Sequence, residues 1–202
     1  MFTGIVQGIA ELCVIKENKY GRTHVMKMPQ ILLSGLEIGA SVSHNGCCLT
    51  VTKITGVYVS FDLVAETLML TTLGSLTEGE SINIERAAKF SDEIGGHIVS
   101  GHITTIAKIS KVCNTKNDYI MWLTLADPYQ SKYVFYKGFI TIDGISLTVG
   151  DIMGDTFCVH LIPETLLRTT IGSKDIDHRV NVEVDLHTKI LVDTAERVLV
   201  RR

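Results

Sequence analysis

The chain has 202 residues, enough for one large domain or for two domains of about 100 residues each. Apolar residues make up 46% and charged residues 20% of the sequence, which is ordinary for a folded globular protein and argues against disorder. The formal net charge is −3 and the sequence has no dense Lys/Arg run, which argues against nucleic acid and anionic membrane as partners. A small molecule is the expected partner.

The N-terminal segment, MFTGIVQGIAEL, has neither a basic n-region nor a long apolar region, so we expect a cytoplasmic protein. The five cysteines have no C-x-x-C spacing, which favours reduced thiols over a disulfide framework or a zinc site. His97 and His102, in GGHIVSGH, lack the i,i+4 spacing of a helical metal pair. The sequence therefore predicts no metal site.

An internal repeat with a period of 98 residues dominates the chain. Residues 43–75 and 141–173 are identical at 14 of 33 positions. Residues 82–85 likewise match residues 180–183. Residues 2–10 match residues 99–107 when the offset between the copies is changed by one residue. We call equivalent positions of the two copies twins. A period of this length exceeds the roughly 20–50 residues of a solenoid unit, so each copy is predicted to be a domain.

Most elements of each copy are predicted to be strands. Apolar and polar residues alternate in VYVSFDL (residues 57–63) and FCVHL (residues 157–161), the pattern of a half-buried strand. Other β-rich runs, separated by turn residues, are SVSHNGCCLTVTKI, SINIERA, YIMWLTLA and GFITIDGISLTVGDI. Short helical turns are expected in AETLMLTTLG and PETLLRTTIG. Such spacing predicts an all-β fold, either a closed barrel or a sandwich.

The pattern changes at residues 188–202, where an amphipathic helix is predicted. Leu191, Ala195, Val198 and Leu199 fall on one helical face. An isolated helix of this length is marginal in water, so it must pack against its own domains or against other chains. The sequence leaves both alternatives open.

Six separated segments, in order and spacing, resemble the riboflavin synthase family: MFTGIV, NGCCLTV, FDLVAETL, KFSDEIGGHIVSGH, YKGFITIDGISLTV and IPETLLRTTIG. The resemblance covers essentially the whole chain. It implies two tandem, internally duplicated Greek-key β-barrels of six strands each, at residues 1–90 and 91–187, and a C-terminal amphipathic helix at residues 188–202. It also implies a homotrimer with the active site between the first barrel of one chain and the second barrel of another, and lumazine synthase as a further partner.

The resemblance implies a reaction without metal or cofactor. Two molecules of 6,7-dimethyl-8-ribityllumazine bind per site, and one transfers a four-carbon unit to the other, which gives riboflavin and 5-amino-6-ribitylaminouracil. Two similar pockets suit two identical reactants, and holding them in attack geometry can lower the barrier by about 7–11 kcal/mol. The 7-methyl protons of the lumazine are acidic for a carbon acid, so a modest base suffices.

The resemblance places substrate contacts in both barrels. Those of the first barrel are Gly4, Ile5, Val6, Cys48, Leu49, Thr50, Asp62, Leu63, Val64, Ala65, Glu66 and Thr67. Those of the second barrel are Gly101, His102, Ile103, Lys137, Ser146, Leu147, Thr148, Ile162, Pro163, Glu164, Thr165, Leu166 and Leu167. Glycine lets the backbone approach a flat heterocycle, and threonine hydroxyls can bind its polar edge. The alternative is that the shared Gly and Thr residues are ordinary turn and strand residues.

Catalysis is expected where the copies differ, because the two reactants play different parts. His102 replaces Ile5, Ser146 replaces Cys48, Lys137 replaces Gly39 and Asp185 replaces Ala87. The predicted catalytic set is His102, Ser146, Cys48, Thr148, Asp185 and Phe2.

Each candidate has a chemical role and a structural alternative. His102 is the candidate base, because the reference pKa of histidine is near neutral; its alternative is a structural histidine at a strand start. Ser146 and Cys48 would polarise a substrate atom or help water to add. Asp185 would orient a hydroxyl or water, or be a strand-end aspartate. Phe2 would close over the site, or be a core aromatic, and Lys137 would touch substrate or be an exposed lysine.

Two other functions compete with the enzyme. A non-catalytic lumazine carrier of the same fold would share MF-GIV, but both the GGHIVSGH segment and the paired E-T-L segments are intact here. A flavin-dependent oxidoreductase is disfavoured because the sequence contains no G-x-G-x-x-G motif. The enzyme is the favoured prediction.

Overall fold

The computed structural model describes residues 1–116 and 118–200. Within them the chain forms two closed antiparallel barrels of six strands, each with the Greek-key order first-second-fifth-fourth-third-sixth. The first barrel consists of β1 (Gly8–Asn18), β2 (Gly21–Lys27), β3 (Ser41–His44), β4 (Cys47–Thr55), β5 (Tyr58–Val64) and β6 (Ser81–Arg86). The second consists of β7 (Thr105–Asn114), β8 (Tyr119–Leu125), β9 (Phe139–Ile142), β10 (Ile145–Met153), β11 (Thr156–His160) and β12 (Arg179–Val184). The predicted fold class is confirmed, as barrels and not as a sandwich.

Short helices connect the strands. They are α1 (Ala65–Leu70) and α2 (Pro163–Arg168), together with 3₁₀ turns at Gln30–Leu32, Thr72–Ser75, Pro128–Tyr133 and Thr170–Ser173. The strands follow the predicted alternation: in β5, Val59, Phe61 and Leu63 are buried while Tyr58 and Asp62 are exposed. Each barrel therefore closes around its own apolar core. Strands β1, β2 and β7 were not predicted, because exposed and half-buried residues interrupt their apolar pattern.

The two barrels meet through their twin hairpin turns. The turns at Asn45-Gly46 and Asp143-Gly144 have positive φ at both residues and pack so tightly that a Cβ on Gly46 would lie 2.8 Å from the Gly144 nitrogen. Around them the Asn83 side chain donates to the Asp143 carbonyl (2.9 Å), and the Asn181 side chain donates to the Asn45 carbonyl (2.9 Å). The junction thus repeats the internal symmetry of the sequence.

The segments that precede the two barrels cross to the opposite barrel. Ser146 N donates to the Gly4 carbonyl (2.7 Å), and its twin Cys48 N donates to the Gly101 carbonyl (2.8 Å). Val6 packs against the core of the second barrel, and Ile103 packs against the core of the first. Residues 2–6 and 99–103 are called the crossing segments below.

The C-terminal helix α3 (Leu186–Val200) begins two residues before the predicted start. Its polar side docks on the second barrel, where Asp193 accepts from the Tyr133 hydroxyl and Glu196 accepts from Lys132 Nζ (2.6 Å). No side chain of α3 is buried, and Leu191 remains 71% exposed. Its apolar side is thus uncovered in the single chain. None of the helices described is long and apolar enough to cross a bilayer.

Candidate active site

The second barrel carries a candidate pocket, and the twin residues of the first barrel mark the equivalent position there. The second pocket has a volume of about 380 Å³ and is lined by Lys137, Ser146, Leu147, Thr148, Val149, Gly150, His160, Ile162 and Thr165. The first pocket is defined by the twins of these residues: Gly39, residues 48–52, Asp62, Val64 and Thr67. A volume of this size suits a small heterocyclic ligand. Predicted contacts from three separate stretches of sequence are thus brought together in the second pocket.

Three of the predicted contact residues have side chains inside the barrel cores. Leu49, Leu63 and Leu147 are buried and belong to the apolar clusters of their barrels. Consecutive strand residues point to opposite faces, so the neighbours Thr50 and Thr148 are exposed at the pockets. These leucines can offer a ligand only their backbone groups.

The crossing segments correct the predicted assignment of contacts to barrels. From the sequence we expected Gly4, Ile5 and Val6 with the first barrel and Gly101, His102 and Ile103 with the second. The backbone bonds to Ser146 and Cys48 place them the other way round. Sequence order misled here because each segment leaves its own barrel before the first strand begins. His102 therefore adjoins the first pocket and Ile5 the second.

A buried glutamate fixes each crossing segment. Glu85 accepts hydrogen bonds from Thr3 N (2.6 Å) and Gly4 N (3.1 Å), and its twin Glu183 accepts from Ser100 N (2.7 Å) and Gly101 N (3.0 Å). Burial raises the pKa of both carboxyl groups, while these hydrogen bonds oppose the increase. Neither residue was predicted from the sequence, although each ends a repeated segment, INIE or VNVE.

Ser146 has a histidine partner. His97 Nδ1 lies 2.7 Å from Ser146 Oγ, and His97 Nε2 lies 3.2 Å from Thr141 Oγ1. The imidazole also stacks on Phe139, with ring centroids 4.9 Å apart. Burial lowers the pKa of His97, although the charge of Asp185 opposes the shift, which favours a neutral ring at pH 7. The sequence analysis considered His97 only as a metal ligand.

The twin position differs in this respect. Among the described residues no histidine is hydrogen-bonded to Cys48, whose amide donates to the Gly101 carbonyl. Ser146 is therefore hydrogen-bonded to an imidazole, and Cys48 has no such partner among the described residues. The sequence alone does not reveal this asymmetry, because residues 97 and 146 come together only in the folded chain.

Asp185 is at the N-terminus of α3, where its carboxylate accepts from Thr188 N and Thr188 Oγ1, both at 2.8 Å. Burial opposes ionisation, but these hydrogen bonds and nearby histidines leave the pKa of Asp185 below its ordinary value. A negative Asp185 thus caps the helix and also acts electrostatically on His97. Asp185 directly follows β12 and caps α3, and its catalytic role stays a prediction.

Phe2 is a buried residue of the first crossing segment in the single chain. It is 2% exposed, and its amide donates to the Val99 carbonyl (2.8 Å). A Cβ on Gly101 would lie 2.9 Å from the Phe2 ring and 2.6 Å from Cys48 Cβ. Phe2 therefore supports the backbone that adjoins the first pocket, which agrees with the core-aromatic alternative.

Two further residues give the second pocket its own character. Lys137 is exposed and adopts φ +63°, whereas its twin Gly39 has φ +91°. A left-handed conformation costs a lysine roughly 1–2 kcal/mol that a glycine avoids. His160, which was not predicted, lines the second pocket, and its Nδ1 lies 3.0 Å from Asp118 Oδ1. Its twin is Asp62, so a comparison of the two copies could have identified His160 from the sequence.

The described residues contain no group of three or more His, Cys, Asp or Glu side chains placed to hold a metal ion. The pocket residues offer hydroxyl, imidazole, carboxylate and ammonium groups. They can hydrogen-bond a polar heterocycle, move a proton and stabilise a charge.

Comparison with known proteins agrees with this geometry. The family model described as the lumazine binding domain matches twice, at residues 3–87 and 100–185. A riboflavin synthase of Escherichia coli strain K12 is 58% identical over 202 residues, which cover 100% of this chain and 95% of that protein. A riboflavin synthase of Bacillus subtilis is 35% identical over 191 residues, which cover 95% of this chain and 88% of that protein.

Solved structures extend the comparison to ligand complexes. LumP complexed with riboflavin has a TM-score of 0.84 at 26% identity, covering 92% of this chain and 100% of that chain. LumP complexed with 6,7-dimethyl-8-(1'-D-ribityl) lumazine has a TM-score of 0.82 at 25% identity, covering 92% of this chain and 99% of that chain. With the two barrels, the paired pockets and these relatives in view, the chain belongs to the riboflavin synthase family of lumazine-binding enzymes.

Proposed function

We propose that this chain catalyses the dismutation of two molecules of 6,7-dimethyl-8-ribityllumazine to riboflavin and 5-amino-6-ribitylaminouracil. The observation that carries the proposal is a duplicated barrel in which the pocket of the second copy has the Ser146–His97 pair and the twin position, Cys48, has no such partner among the described residues. Twin pockets suit identical reactants, and unequal chemistry suits their different parts in the reaction. Family membership supports the same conclusion.

Positioning is the main contribution of the protein in this mechanism. The crossing segments and the strands β4 and β10 hold each heterocycle against backbone groups, while Thr50 and Thr148 offer hydroxyl groups. The Ser146 hydroxyl pairs with the His97 imidazole, which positions Ser146 Oγ to polarise a substrate atom. His102 is a second base candidate at the first pocket. The charge of Asp185 favours the charged form of His97, and the ring is held by Thr141 Oγ1 and by stacking on Phe139.

We further propose that the active form is a homotrimer in which a site combines the first pocket of one chain with the second pocket of another. Support comes from α3, whose Leu191 and Leu199 are 71% and 68% exposed. A partner chain would cover this apolar surface. Association with lumazine synthase and a cytoplasmic location remain predictions from the family resemblance and the N-terminal sequence.

The activity is tested by incubating the purified protein with the lumazine alone and following riboflavin fluorescence. Riboflavin formation by the unmodified chain that slows by about 100-fold in Ser146→Ala supports the enzyme. Binding of lumazine without conversion would contradict it and would indicate a carrier.

The shared site is tested by complementation. Thr50→Phe should block the first pocket and Thr148→Phe the second, because an overfilled pocket excludes ligand. Each variant alone should fold and be inactive. After the two are refolded together, sites that pair the intact pockets should restore part of the activity. If mass measurement shows mixed assemblies and no activity returns, the shared site is wrong.

A further inference from the structure

A buried carboxylate of the first barrel binds the first crossing segment with both of its oxygens. Glu85 is in β6 and is only 3% exposed. Its Oε1 accepts hydrogen bonds from Thr3 N (2.6 Å) and Thr3 Oγ1 (2.7 Å), and its Oε2 accepts one from Gly4 N (3.1 Å). Burial of a carboxylate is costly unless such hydrogen bonds offset it, so the position of Glu85 and that of the segment depend on each other.

The same two residues of the segment bind the backbone of the Ser146–His97 pair. The Thr3 carbonyl accepts from His97 N (3.1 Å), and the Gly4 carbonyl accepts from Ser146 N (2.7 Å). Thr3 C=O and Gly4 N–H belong to one peptide group, which is planar and rigid. Glu85 therefore binds one side of a rigid unit whose other side binds His97. Displacement of this unit would move His97 and Ser146 relative to each other.

Close packing makes the pair sensitive to such a displacement. A Cβ on Gly4, or on Gly96 beside His97, would lie 2.6 Å from Ser146 Cβ. Two backbone segments thus approach Ser146 as closely as glycine allows. The His97 Nδ1–Ser146 Oγ distance of 2.7 Å depends on this arrangement. A small shift of the crossing segment is therefore sufficient to change the hydrogen bond of the pair.

The twin glutamate makes the same bonds but holds no such pair. Glu183 is 5% exposed and accepts from Ser100 N (2.7 Å), Ser100 Oγ (2.7 Å) and Gly101 N (3.0 Å). The Gly101 carbonyl accepts from Cys48 N (2.8 Å), and Cys48 has no imidazole partner among the described residues. Glu183 is therefore matched to Glu85 in burial and bonding and differs from it in what its segment holds.

We propose that Glu85 is a positioning residue of the reaction, which acts through the Thr3–Gly4 peptide to keep Ser146 and His97 at hydrogen-bond distance. The proposal rests on the proposed function, in which this pair acts on the substrate. Glu85 is buried, so it acts through the crossing segment and not by touching substrate. A carboxylate is required because three donors face it, and an amide in its place would turn its own N–H groups toward one of them.

The test is a double-variant cycle in the full chain. Glu85→Gln should lower kcat by about 10-fold with a smaller change in KM, because misplaced catalytic groups slow turnover. In the Ser146→Ala background the same change should lower kcat by less than about 2-fold, since the pair is already broken. Glu183→Gln should lower kcat by the same factor in both backgrounds. The proposal is wrong if the effect of Glu85→Gln is absent, or is as large without Ser146 as with it.

Nitrogen NMR of the imidazoles provides a measurement that does not depend on activity. Ser146→Ala removes the hydroxyl beside His97 Nδ1, so the change in this signal reports the hydrogen bond, and His97→Gln identifies the signal. Glu85→Gln should move the His97 Nδ1 signal toward its position in Ser146→Ala. Glu183→Gln should leave the signal where it is in the unmodified protein. An Nδ1 signal that Glu85→Gln does not move would overturn the proposal.

A milder variant keeps the test available if Glu85→Gln does not fold, which thermal unfolding shows. Thr3→Val removes only the bond from Thr3 Oγ1 to Glu85, and Ser100→Ala removes the equivalent bond to Glu183. Thr3→Val should lower kcat by about 3-fold, and this loss should disappear in the Ser146→Ala background. Equal factors in the two backgrounds would contradict the proposal.

The two proposals can fail separately. If the unmodified chain forms no riboflavin, the proposed function is wrong, and the NMR comparison still decides whether Glu85 positions His97. If riboflavin forms but Glu85→Gln moves neither the NMR signal nor kcat, the role of Glu85 alone is wrong.

Discussion

The two barrels have the same strand order but differently composed interiors. His24 and His44 lie inside the first barrel, where the second barrel has their twins Met121 and Ile142. Both histidines are buried, and their ring nitrogens have no hydrogen-bond partner among the described residues. His44 instead packs edge-on against Phe61, with ring centroids 4.1 Å apart. The fold thus tolerates neutral imidazoles in place of aliphatic side chains, provided that they stay unprotonated.

This comparison predicts that the first barrel is the acid-sensitive one, which is the largest effect we expect. Burial lowers the pKa of His24 to about 4 and that of His44 to about 3, from 6.5. Below pH 6.5 the unfolded chain therefore binds protons that the folded barrel does not. The free energy of unfolding should fall by on the order of 3 kcal/mol between pH 7 and pH 5.

Two probes separate the barrels in this experiment. Labelling of the buried Cys47 thiol reports opening of the first barrel, and fluorescence of Trp122 reports the second. Replacing the histidines by their twins, in His24→Met with His44→Ile, should remove most of the acid sensitivity. The prediction is wrong if both barrels unfold at the same pH and the double variant is as acid-sensitive as the unmodified protein.

The second prediction concerns the unequal twins Ser146 and Cys48. Ser146→Ala should lower kcat by about 100-fold, because it removes a hydroxyl that an adjacent imidazole activates. Cys48→Ala should have a much smaller effect. His97→Gln should match Ser146→Ala, and the double variant should be no slower than either, since the two residues act as one unit. Steady-state kinetics measures all four, and additive losses would show independent roles.

The smallest expected effect is on stability at the twins Lys137 and Gly39. Lys137→Gly should raise the free energy of unfolding by about 0.5–1 kcal/mol, because it relieves a left-handed lysine. Gly39→Lys should lower it by a similar amount. Urea unfolding measures both. If Lys137→Gly were destabilising, the lysine side chain would have to make stabilising contacts that outweigh the strain.

The family resemblance accounted for much of the candidate site, and the structure corrected its arrangement. Thr148, Ser146 and Lys137 meet in one pocket as expected. His97, His160 and Glu183 were missed because each gains its role from a residue distant in sequence: Ser146, Asp118 and Gly101 respectively. A residue's chemical partners cannot be found from local pattern when the chain separation is this large.

The sequence by itself determined the duplication, the all-β class, the C-terminal helix and the family, because periodicity and repeated motifs are local properties of the chain. Tertiary structure alone decided which barrel each crossing segment contacts, that Phe2 is buried, and that His97 is hydrogen-bonded to Ser146. The physical reason is that a segment outside the regular strands is placed by long-range hydrogen bonds, here to Cys48 and Ser146, and not by its own alternation of polar and apolar residues.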